Sequence, residues 1–259
     1  MAQSDILRQQ TAAGVRTAEI DAGLRAHMNK IYGTMSVGLV VTGLVAWALA
    51  GLAVTESPTQ YMVRDGMYLT DLGYALYASP LKWVIMFAPL AFVFGLGAGI
   101  NRLSTGAAQM VFYAFAAVMG ASLSSIFLVY TSMSIAQVFF ATAIGFAGLS
   151  LWGYTTKKDI SGWGSFLFMG VIGIFAASLI NIFLQSSALM FAVSAIGVLV
   201  FAGLTAYDTQ RLKNEYLMAV AHPQGQSYLG KAAIMGALSL YINFINMFMM
   251  LLSLFGNRE

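Results

Sequence analysis

The chain has 259 residues, of which 59% are hydrophobic and only 9% are charged, with a formal net charge of +3 and no cysteine. Soluble domains carry about 25% charged residues, so this composition excludes a soluble globular fold. The lack of cysteine excludes disulfides, thiolate metal sites and thiol nucleophiles. Backbone groups in lipid are satisfied only in helices or closed barrels, and the apolar runs lack period-two alternation. We therefore predict an all-α polytopic membrane protein.

The charged residues fall into short clusters that bound uncharged runs long enough to cross a bilayer. The runs 31–55, 83–101 and 232–257 are each close to the roughly 20 residues that one helical span needs. The runs 103–156 and 160–207 are too long for one helix, so each is predicted to be a hairpin of two spans. The sequence therefore predicts a bundle of seven transmembrane helices.

The N-terminal segment is polar and mixed in charge, and no small-residue cleavage site precedes the first span. We therefore interpret 1–28 as a cytoplasmic segment rather than a signal peptide, followed by a transmembrane domain at 29–259. Ile20, Leu24 and Met28 recur at helical spacing, which fits a short helix lying on the membrane surface. A frayed, solvated tail fits the same residues.

The first two spans are predicted at 31–53 and 81–101, and the segment 54–79 between them is the longest external loop. The tyrosines of this loop, together with Trp83, are typical of anchors at the membrane interface. In the second span, Gly95 and Gly99 form a small-xxx-small pair, which favours close packing against another helix.

The third span is predicted at 105–130 and carries Ser122, Ser124 and Ser125 in mid-membrane. Hydroxyls in that position can bond their own helix or a neighbouring one, and we favour this structural role over that of an ion ligand. The next three spans are predicted from the turn 131–134 to Tyr154, at 163–183, and from the turn 185–187 to Asp208.

The last span is predicted at 232–255, after a polar internal loop at 209–230. This span is interrupted by Ser239, Asn243 and Asn246, with Asn243 near its middle. Polar side chains are costly against lipid, so this content indicates that the last helix lies inside the bundle.

The basic residues indicate the orientation of the chain. A cytoplasmic N-terminus assigns to the cytoplasm Arg8, Arg16, Arg25, Lys30, Arg102, Lys157, Lys158, Arg211, Lys213 and Lys231. The opposite side then receives only Arg64, Lys82 and Arg258. The positive-inside rule therefore predicts that the N-terminus is cytoplasmic, and the same distribution explains the basic surplus without a nucleic-acid partner.

Two ionisable side chains stand out because they lie where helix ends meet the cytoplasmic side of the membrane: Arg102 after the second span and Asp208 at the end of the sixth. They could pair if those helices are neighbours. A carboxylate at a helix C-terminus is opposed by the helix dipole, so Asp208 requires a nearby cation or hydrogen-bond donor. The alternative is an ordinary interfacial arginine and an ordinary terminal aspartate.

Known catalytic arrangements fit the sequence poorly. Its two histidines, His27 and His222, lie outside the predicted spans, so a buried Ser-His pair has no base. No second acid lies within the spans to form an aspartate dyad, and Lys231 is at the edge of the last span rather than in its middle. No zinc, P-loop or haem motif is present. We therefore predict a protein that is not an enzyme and has no resident cofactor.

Three segments resemble signatures of the Bax inhibitor-1 family, also called the transmembrane Bax inhibitor motif family. They are AFAAVMGASLSSIFLVYT at 114–131, GLTAYDTQRLKNEY at 203–216 and ALSLYINFINMFMMLLSLFG at 237–256. The resemblance implies a seven-helix bundle with a central last helix. It also implies a link to a pH-sensitive calcium leak in bacterial members, and to cell-death suppression in eukaryotic ones.

The resemblance further implies a pair of aspartates, one after the tyrosine of the sixth-span motif and one on the seventh span, with the first latched by an arginine. Asp208 and Arg102 match the first aspartate and the arginine, but the second aspartate is replaced by Asn243. Two close carboxylates share a proton and respond near neutral pH, whereas an Asp with an Asn lacks that like-charge interaction. We therefore expect weak pH gating near neutrality.

The favoured hypothesis is a cation leak channel of a bacterial inner membrane, with Ca²⁺ as the ion, gated around Asp208, Asn243 and Arg102. Ca²⁺ would bind only transiently at Asp208, because one carboxylate, an amide and carbonyl groups make a weak site. Supporting polar roles are assigned to Ser122, Ser124, Ser125, Tyr207 and Asn246. The alternative is a non-conducting membrane protein that binds and modulates another membrane complex, such as a quality-control protease. A secondary transporter is a third reading.

Overall fold

The computed structural model describes residues 2–64, 66–100, 102–222 and 226–258, with side chains from residue 18 onward except at 226 and 227. In this part of the chain, seven helices are long and apolar enough to cross a membrane, so the predicted all-α polytopic fold is confirmed. The elements are α1 (Ala2–Ala53), β1 (Val54–Thr55), β2 (Met62–Arg64), β3 (Met67–Leu69), α2 (Asp71–Tyr77), α3 (Leu81–Gly99), α4 (Thr105–Leu123), α5 (Ile126–Val129), α6 (Ser132–Thr155), α7 (Trp163–Leu184), α8 (Ser187–Ala221) and α9 (Gln226–Phe255).

Three of the long helices, α4, α6 and α8, begin at hydroxyl residues that the sequence places just before the apolar run. The side chains of Ser104, Thr131 and Ser186 accept hydrogen bonds from backbone N–H groups in the first turns of α4, α6 and α8. A side-chain acceptor at this position satisfies a donor that has no partner within the helix. These caps fix the helix boundaries at short turns, which is why these spans begin close to the predicted residues.

Helix α9 is the centre of the bundle and packs against α1, α4, α6 and α8. Half of its most apolar 18-residue window is buried, compared with at most 33% in the other spans. On one face of α9, the Tyr241 hydroxyl lies 2.6 Å from the Thr42 hydroxyl, which lies 2.8 Å from the Ala116 carbonyl oxygen. These contacts join α1, α4 and α9 through satisfied polar groups in an apolar interior.

The segment between the first two spans forms a small folded cap at one end of the bundle, which we call the sheet end. Its three strands are antiparallel in the order β1, β3, β2, and Thr70 caps α2 while donating to the Leu52 carbonyl oxygen at 2.8 Å. Tyr61 and Tyr74 stack with ring centroids 4.1 Å apart. Those two rings therefore pack against each other within the cap.

Ser124 connects this cap to the bundle. Tyr77 donates to the Ser124 hydroxyl at 2.8 Å, and burial raises the pKa of the Tyr77 hydroxyl above its usual range although the hydrogen bond opposes the shift. Ser124 is the C-cap residue of α4 and donates to the Ala121 carbonyl oxygen at 2.6 Å. Ser124 and Ser125 therefore lie where α4 ends before α5, inside the candidate span Thr105–Val129, and Ser124 bonds its own helix as predicted.

The N-terminal helix does not lie on the membrane surface, and from residue 18 it is not a frayed tail. Helix α1 continues without a break to Ala53, and Leu24 and Met28 are buried in the main core together with Leu212 and Tyr216 of α8. The His27 and Tyr216 rings are 5.1 Å apart. The apolar face predicted to meet lipid is instead covered by α8.

The predicted internal loop at 209–230 is also wrong, because α8 continues to Ala221 and α9 begins at Gln226. Polar residues that indicate a loop in the sequence are buried here: Thr209 is 0% exposed and Gln210 is 6% exposed. Their side chains have hydrogen-bond partners on other elements, so tertiary contacts stabilise a helix that composition does not predict.

Close helix packing occurs at Gly120 rather than at Gly95 and Gly99. A Cβ at Gly95 or Gly99 would meet nothing within 4 Å, whereas a Cβ at Gly120 would lie 2.5 Å from the Thr42 carbonyl oxygen and 2.9 Å from the Val45 Cβ. Backbone atoms cannot move aside as a flexible side chain can. The contact of α4 with α1 therefore requires glycine at position 120.

Gly120→Ala is expected to destabilise the protein by about 1–3 kcal/mol, because the added methyl forces α1 and α4 apart. The matched control is Gly106→Ala in the same helix, where a Cβ would have open space. Thermal unfolding in detergent should show a clear fall in Tm for Gly120→Ala and little change for the control. Equal Tm values would contradict the close contact.

Candidate functional site

Asp208 is a buried carboxylate in the interior of α8, only 5% exposed. Its Oδ2 accepts a hydrogen bond from the Asn243 amide at 2.7 Å and from the Ser239 hydroxyl at 2.8 Å. Its Oδ1 forms an ion pair with Arg211 Nη2 at 2.8 Å. The sequence predicted that Asp208 lies at a helix C-terminus, and that prediction is wrong. Its charge is stabilised by three donors and is not opposed by a helix end.

The spacing of these four residues places them together. Asp208 and Arg211 are separated by three residues on α8, and Ser239 and Asn243 by four on α9, so each pair shares one helix face. Helices α8 and α9 pack along their length. Burying an ionised carboxylate requires a partner charge and hydrogen bonds, and this arrangement supplies both.

Arg211 lies on the side of the site that faces solvent. Its side chain is 41% exposed, compared with 8% for that of Asp208. The guanidinium also lies 3.9 Å from a Glu215 carboxylate oxygen and 3.4 Å from the Ser239 hydroxyl. A tethered cation therefore lies between Asp208 and water, with a second carboxylate on its other side.

The predicted pairing of Arg102 with Asp208 is not observed. Arg102 is exposed, and among the ion pairs of the described residues the partner of Asp208 is Arg211. Sequence reasoning missed Arg211 because it ended the helix at Asp208. The signal that could have found it is the (i, i+3) spacing of an acid and a base, which is meaningful only within a helix.

A cavity of about 440 Å³ leads to this site from the end of the bundle opposite the sheet end. It lies among α3, α8 and α9, and its polar lining consists of Arg211, Glu215, Tyr228, Lys231 and Ser239. Two of these residues, Arg211 and Ser239, contact Asp208 directly. The cavity thus stops one layer of side chains short of the buried carboxylate.

The neighbours of Asp208 in the motif hold the surrounding helices in place. Gln210 accepts from the Ile160 N–H at 2.9 Å and donates to the Lys158 carbonyl oxygen at 2.8 Å. Lys213 donates to the Tyr154 carbonyl oxygen at 2.7 Å and so satisfies the end of α6. Tyr207 packs toward α7. Successive residues of α8 therefore contact different neighbours, which rigidly positions Asp208.

The loop between α6 and α7 is held by hydrogen bonds to the side chain of its own Asp159 as well as to that of Gln210. The Ser161 N–H donates to Asp159 Oδ1 at 2.9 Å. The backbone and side-chain hydrogen bonds from Ser161 hold the pKa of the exposed Asp159 carboxyl below its usual range. Asp159 thus differs from Asp208 in position, since it is fully exposed in the loop.

One face of α9 carries a line of polar residues that continues from Asp208 toward the sheet end. Ser239, Asn243, Asn246 and Ser253 follow each other at helical spacing, with Met250 between the last two. Asn246 donates to the Ile242 carbonyl oxygen of its own helix, and Ser194 of α8 donates to Ser253 at 3.1 Å. The line therefore runs along the interface of α8 with α9.

Met250 interrupts this polar line. A Cβ at Gly197 of α8 would lie 2.9 Å from Met250 Cγ, so the methionine packs directly on the glycine backbone. The interface is thus polar near Asp208 and near Ser253, and closed by apolar contacts between them.

Comparisons with known proteins agree with the fold. The sequence profile of the family described as "Inhibitor of apoptosis-promoting Bax1" matches residues 24–259. The inner membrane protein YbhL of Escherichia coli K12 is 47% identical over 238 residues, which cover 92% of this chain and 94% of YbhL. An uncharacterized protein of Caulobacter vibrioides is 45% identical over 241 residues, covering 93% and 92% of the two chains.

Proposed function

Because the chain belongs to the Bax inhibitor-1 family of membrane proteins, we propose that it is a cation leak channel, with Ca²⁺ as the permeating ion. The gate consists of Asp208, Asn243 and Arg211. The observation that carries the proposal is the buried Asp208 carboxylate, whose Oδ1 is occupied by the Arg211 guanidinium at the inner end of a cavity with polar and apolar lining residues. Intramembrane carboxylates are costly and are typical of ion pathways.

Arg211 acts in this proposal as a tethered competitor of the permeating cation. A free cation that enters the cavity meets Glu215 and Arg211 before it reaches Asp208. To bind Asp208 it must displace the guanidinium, which has an alternative partner in Glu215. The described conformation is therefore the closed one, and opening consists of the transfer of Arg211 away from Asp208.

The path beyond Asp208 follows the polar face of α9 toward the sheet end. Asn243 and Asn246 supply amide oxygens, and Ser194 and Ser253 supply hydroxyls further along. Met250 on Gly197 is the apolar constriction between them. Such constrictions block ions by excluding water, so a small separation of α8 from α9 at this point would permit conduction.

The ligands available to Ca²⁺ favour passage over storage. The described residues contain no group of three or more His, Cys, Asp or Glu side chains that could hold a metal ion. Ca²⁺ prefers six to eight oxygen ligands, and tight sites supply several carboxylates. One carboxylate with amide and hydroxyl oxygens gives weak, transient binding, which a leak requires.

The proposal is tested by calcium flux through the purified full chain in liposomes, with protein-free vesicles as the control. Influx that depends on the amount of protein and is lost in Asp208→Asn supports conduction through this site. Flux equal to that of protein-free vesicles, from protein that remains folded and monodisperse, would contradict it and leave the non-conducting, partner-binding alternative.

Arg211→Gln is expected to raise calcium flux about fivefold to tenfold, because removing the tethered cation frees Asp208 Oδ1 for a mobile one. A charge-assisted hydrogen bond contributes about 1.5–3 kcal/mol, enough for a tenfold change. Arg102→Gln is the matched control, since that exposed arginine is not a described partner of Asp208. If Arg102→Gln raised flux and Arg211→Gln did not, the gate would be the one predicted from the sequence.

The orientation we propose places the N-terminus in the cytoplasm of a bacterial inner membrane. The named relative YbhL is an inner membrane protein, and most basic residues fall on the side of the N-terminus. The C-terminal segment lies at the sheet end, where the Asn257 N–H donates to Ser134 at 2.9 Å. The sheet end is therefore the external one in this proposal.

Reporter fusions test this orientation. A reporter after Lys158 should give a cytoplasmic signal and one inserted near Gln60 an external signal, because that arrangement keeps the basic residues inside. Each fusion is compared with a cytoplasmic and a periplasmic reporter expressed alone. A cytoplasmic signal at Gln60 would reverse the assignment.

A further inference from the structure

A long groove lies between α1 and α6 and is open on the side of the bundle. Its volume is about 1340 Å³, larger than the roughly 300–1,000 Å³ of most small-molecule pockets. The floor consists of Phe244, Ile245 and Phe248 of α9, and the lining on α1 extends from Arg25 to Trp47. At about 1.5 Å per residue this stretch of helix is comparable to the roughly 30 Å thickness of a hydrocarbon core.

The two ends of the groove differ in chemistry. At the end near Arg25 the lining includes Asn29 and Tyr32 of α1, together with Tyr154 and Thr155 of α6. Arg25 and Asn29 are exposed. From this end toward the middle of the bundle the lining becomes apolar, with side chains that include Leu39, Phe139, Phe146 and Phe248.

Further positive charge lies beside this polar end. Lys213 Nζ is 5.6 Å from the centroid of the Tyr154 ring, and Lys157 and Lys158 lie shortly after the end of α6, followed by a single acid, Asp159. The polar end therefore presents a guanidinium, an amide and phenol hydroxyls next to a basic loop. Phosphate groups are bound by this combination of donors.

We propose that the groove binds an anionic glycerophospholipid, with its phosphate at Arg25 and Asn29 and its acyl chains along the phenylalanines. The shape fits this occupant because a polar, basic mouth continues into a long apolar channel. Basic pockets between transmembrane helices on the cytoplasmic side are typical sites for anionic headgroups. This inference does not depend on conduction.

A transmembrane helix of another protein is the competing occupant, and the floor of the groove argues against it. Helices in membranes pack closely on small residues, whereas this floor is formed by Phe244, Ile245 and Phe248. A helix also gives no reason for a guanidinium and an amide at the mouth. Flexible acyl chains can follow a surface of aromatic side chains.

The test uses the full chain reconstituted in vesicles of phosphatidylglycerol and phosphatidylcholine in equal amounts, then solubilised in mild detergent for native mass spectrometry. Wild-type protein should retain phosphatidylglycerol in preference to phosphatidylcholine by about tenfold. Arg25→Gln should reduce that preference to about twofold or less, because the neutral amide lacks the positive charge that forms an ion pair with a phosphate. Lys30→Gln, a nearby exposed base outside the groove lining, should leave it unchanged.

A second pair of variants tests the position of the acyl chains. Ala147 lines the groove and is exposed, whereas Ala141 is exposed on the same helix outside the lining. Ala147→Trp should lose both lipids, and Ala141→Trp should retain phosphatidylglycerol as the wild type does. Equal retention of the two lipids by the wild type, no change in Arg25→Gln, or retention of a second protein chain in place of lipid would each overturn the proposal.

Discussion

Replacing Asp208 with Asn is expected to lower calcium flux through the reconstituted protein by at least about tenfold, because the amide keeps the size of the side chain but removes its charge. Asp208 is the only acid among the four residues that meet at the site. A cation that gives up part of its hydration shell requires that charge, and a charge-assisted contact of about 1.5–3 kcal/mol corresponds to roughly this loss.

Asp159→Asn is the matched control for this variant, because it removes a carboxylate that is fully exposed in the loop between α6 and α7. Flux through the control should equal that of the wild type. Monodisperse elution and an unchanged Tm would separate loss of conduction from loss of fold. A conducting Asp208→Asn variant with unchanged rate and ion selectivity would remove Asp208 from the path.

Asp208→Ala tests stability rather than conduction. Truncation leaves Arg211, Ser239 and Asn243 without the acceptor that they share. Asn243 is the buried donor of the three, and a buried donor left unsatisfied costs about 1–3 kcal/mol, so Ala should lower the Tm more than Asn does. The order of the two variants in flux and in Tm therefore distinguishes the electrostatic role of the carboxylate from its role as a hydrogen-bond acceptor.

The distribution of charge in the sequence is sufficient to predict the seven spans, because an uncharged run must cross the bilayer or lie within the bundle. The polar residues of the last span similarly predict its central position, since Asn243 would be costly against lipid. Both inferences depend on the cost of burying polar groups in hydrocarbon. That cost is a property of each side chain and is readable without coordinates.

The extent of α8 could not be predicted in the same way. Thr209 and Gln210 indicate a loop by composition, but in the bundle their side chains bond to the backbone of α8 and to the loop at 158–160. The helix is stable because of partners that are distant in sequence. The misplaced helix end then hid Arg211, whose (i, i+3) relation to Asp208 exists only in a continuous helix.

Close packing of helices was predicted at the wrong glycines for a related reason. Gly95 and Gly99 satisfy the small-xxx-small pattern, but α3 does not bring another backbone near either of them. Gly120 does meet the backbone of α1, and with Ala116 and Ser124 it forms a small-xxx-small series of its own, so the pattern alone does not rank these glycines. The pattern reports that close approach is permitted, whereas the topology of the bundle decides where it occurs.

The site suggests why an asparagine is compatible with a leak. Asn243 donates a hydrogen bond to Asp208 without adding charge, so among the ion pairs of the described residues that carboxylate is paired with Arg211, which also contacts Glu215. A second aspartate at position 243 would compete with Asp208 for protons, for cations and for the Arg211 guanidinium. The amide therefore leaves control of the carboxylate to Arg211.

Asn243→Asp is expected to move the pH response of calcium flux toward neutrality by about one pH unit or more, because two carboxylates within hydrogen-bond distance share a proton. In the wild type the Asp208 carboxylate is paired with Arg211 and faces a neutral amide, so no second carboxylate shares a proton with it. In the variant the repulsion between carboxylates favours uptake of one proton at higher pH. That proton would weaken the ion pair between Asp208 and Arg211 and so open the gate nearer to pH 7.

The measurement is a pH–flux profile of the wild type and Asn243→Asp in identical vesicles, with Arg211 and Glu215 intact. Asn181→Asp is the matched control: it adds the same charge on α7, outside the proposed path, where the side-chain oxygen that accepts from the Ser186 N–H is retained. Its profile should stay with that of the wild type. Superimposable curves for all three proteins would show that position 243 is not coupled to the gate, because a carboxylate 2.7 Å from Asp208 could not leave a proton-controlled gate unchanged.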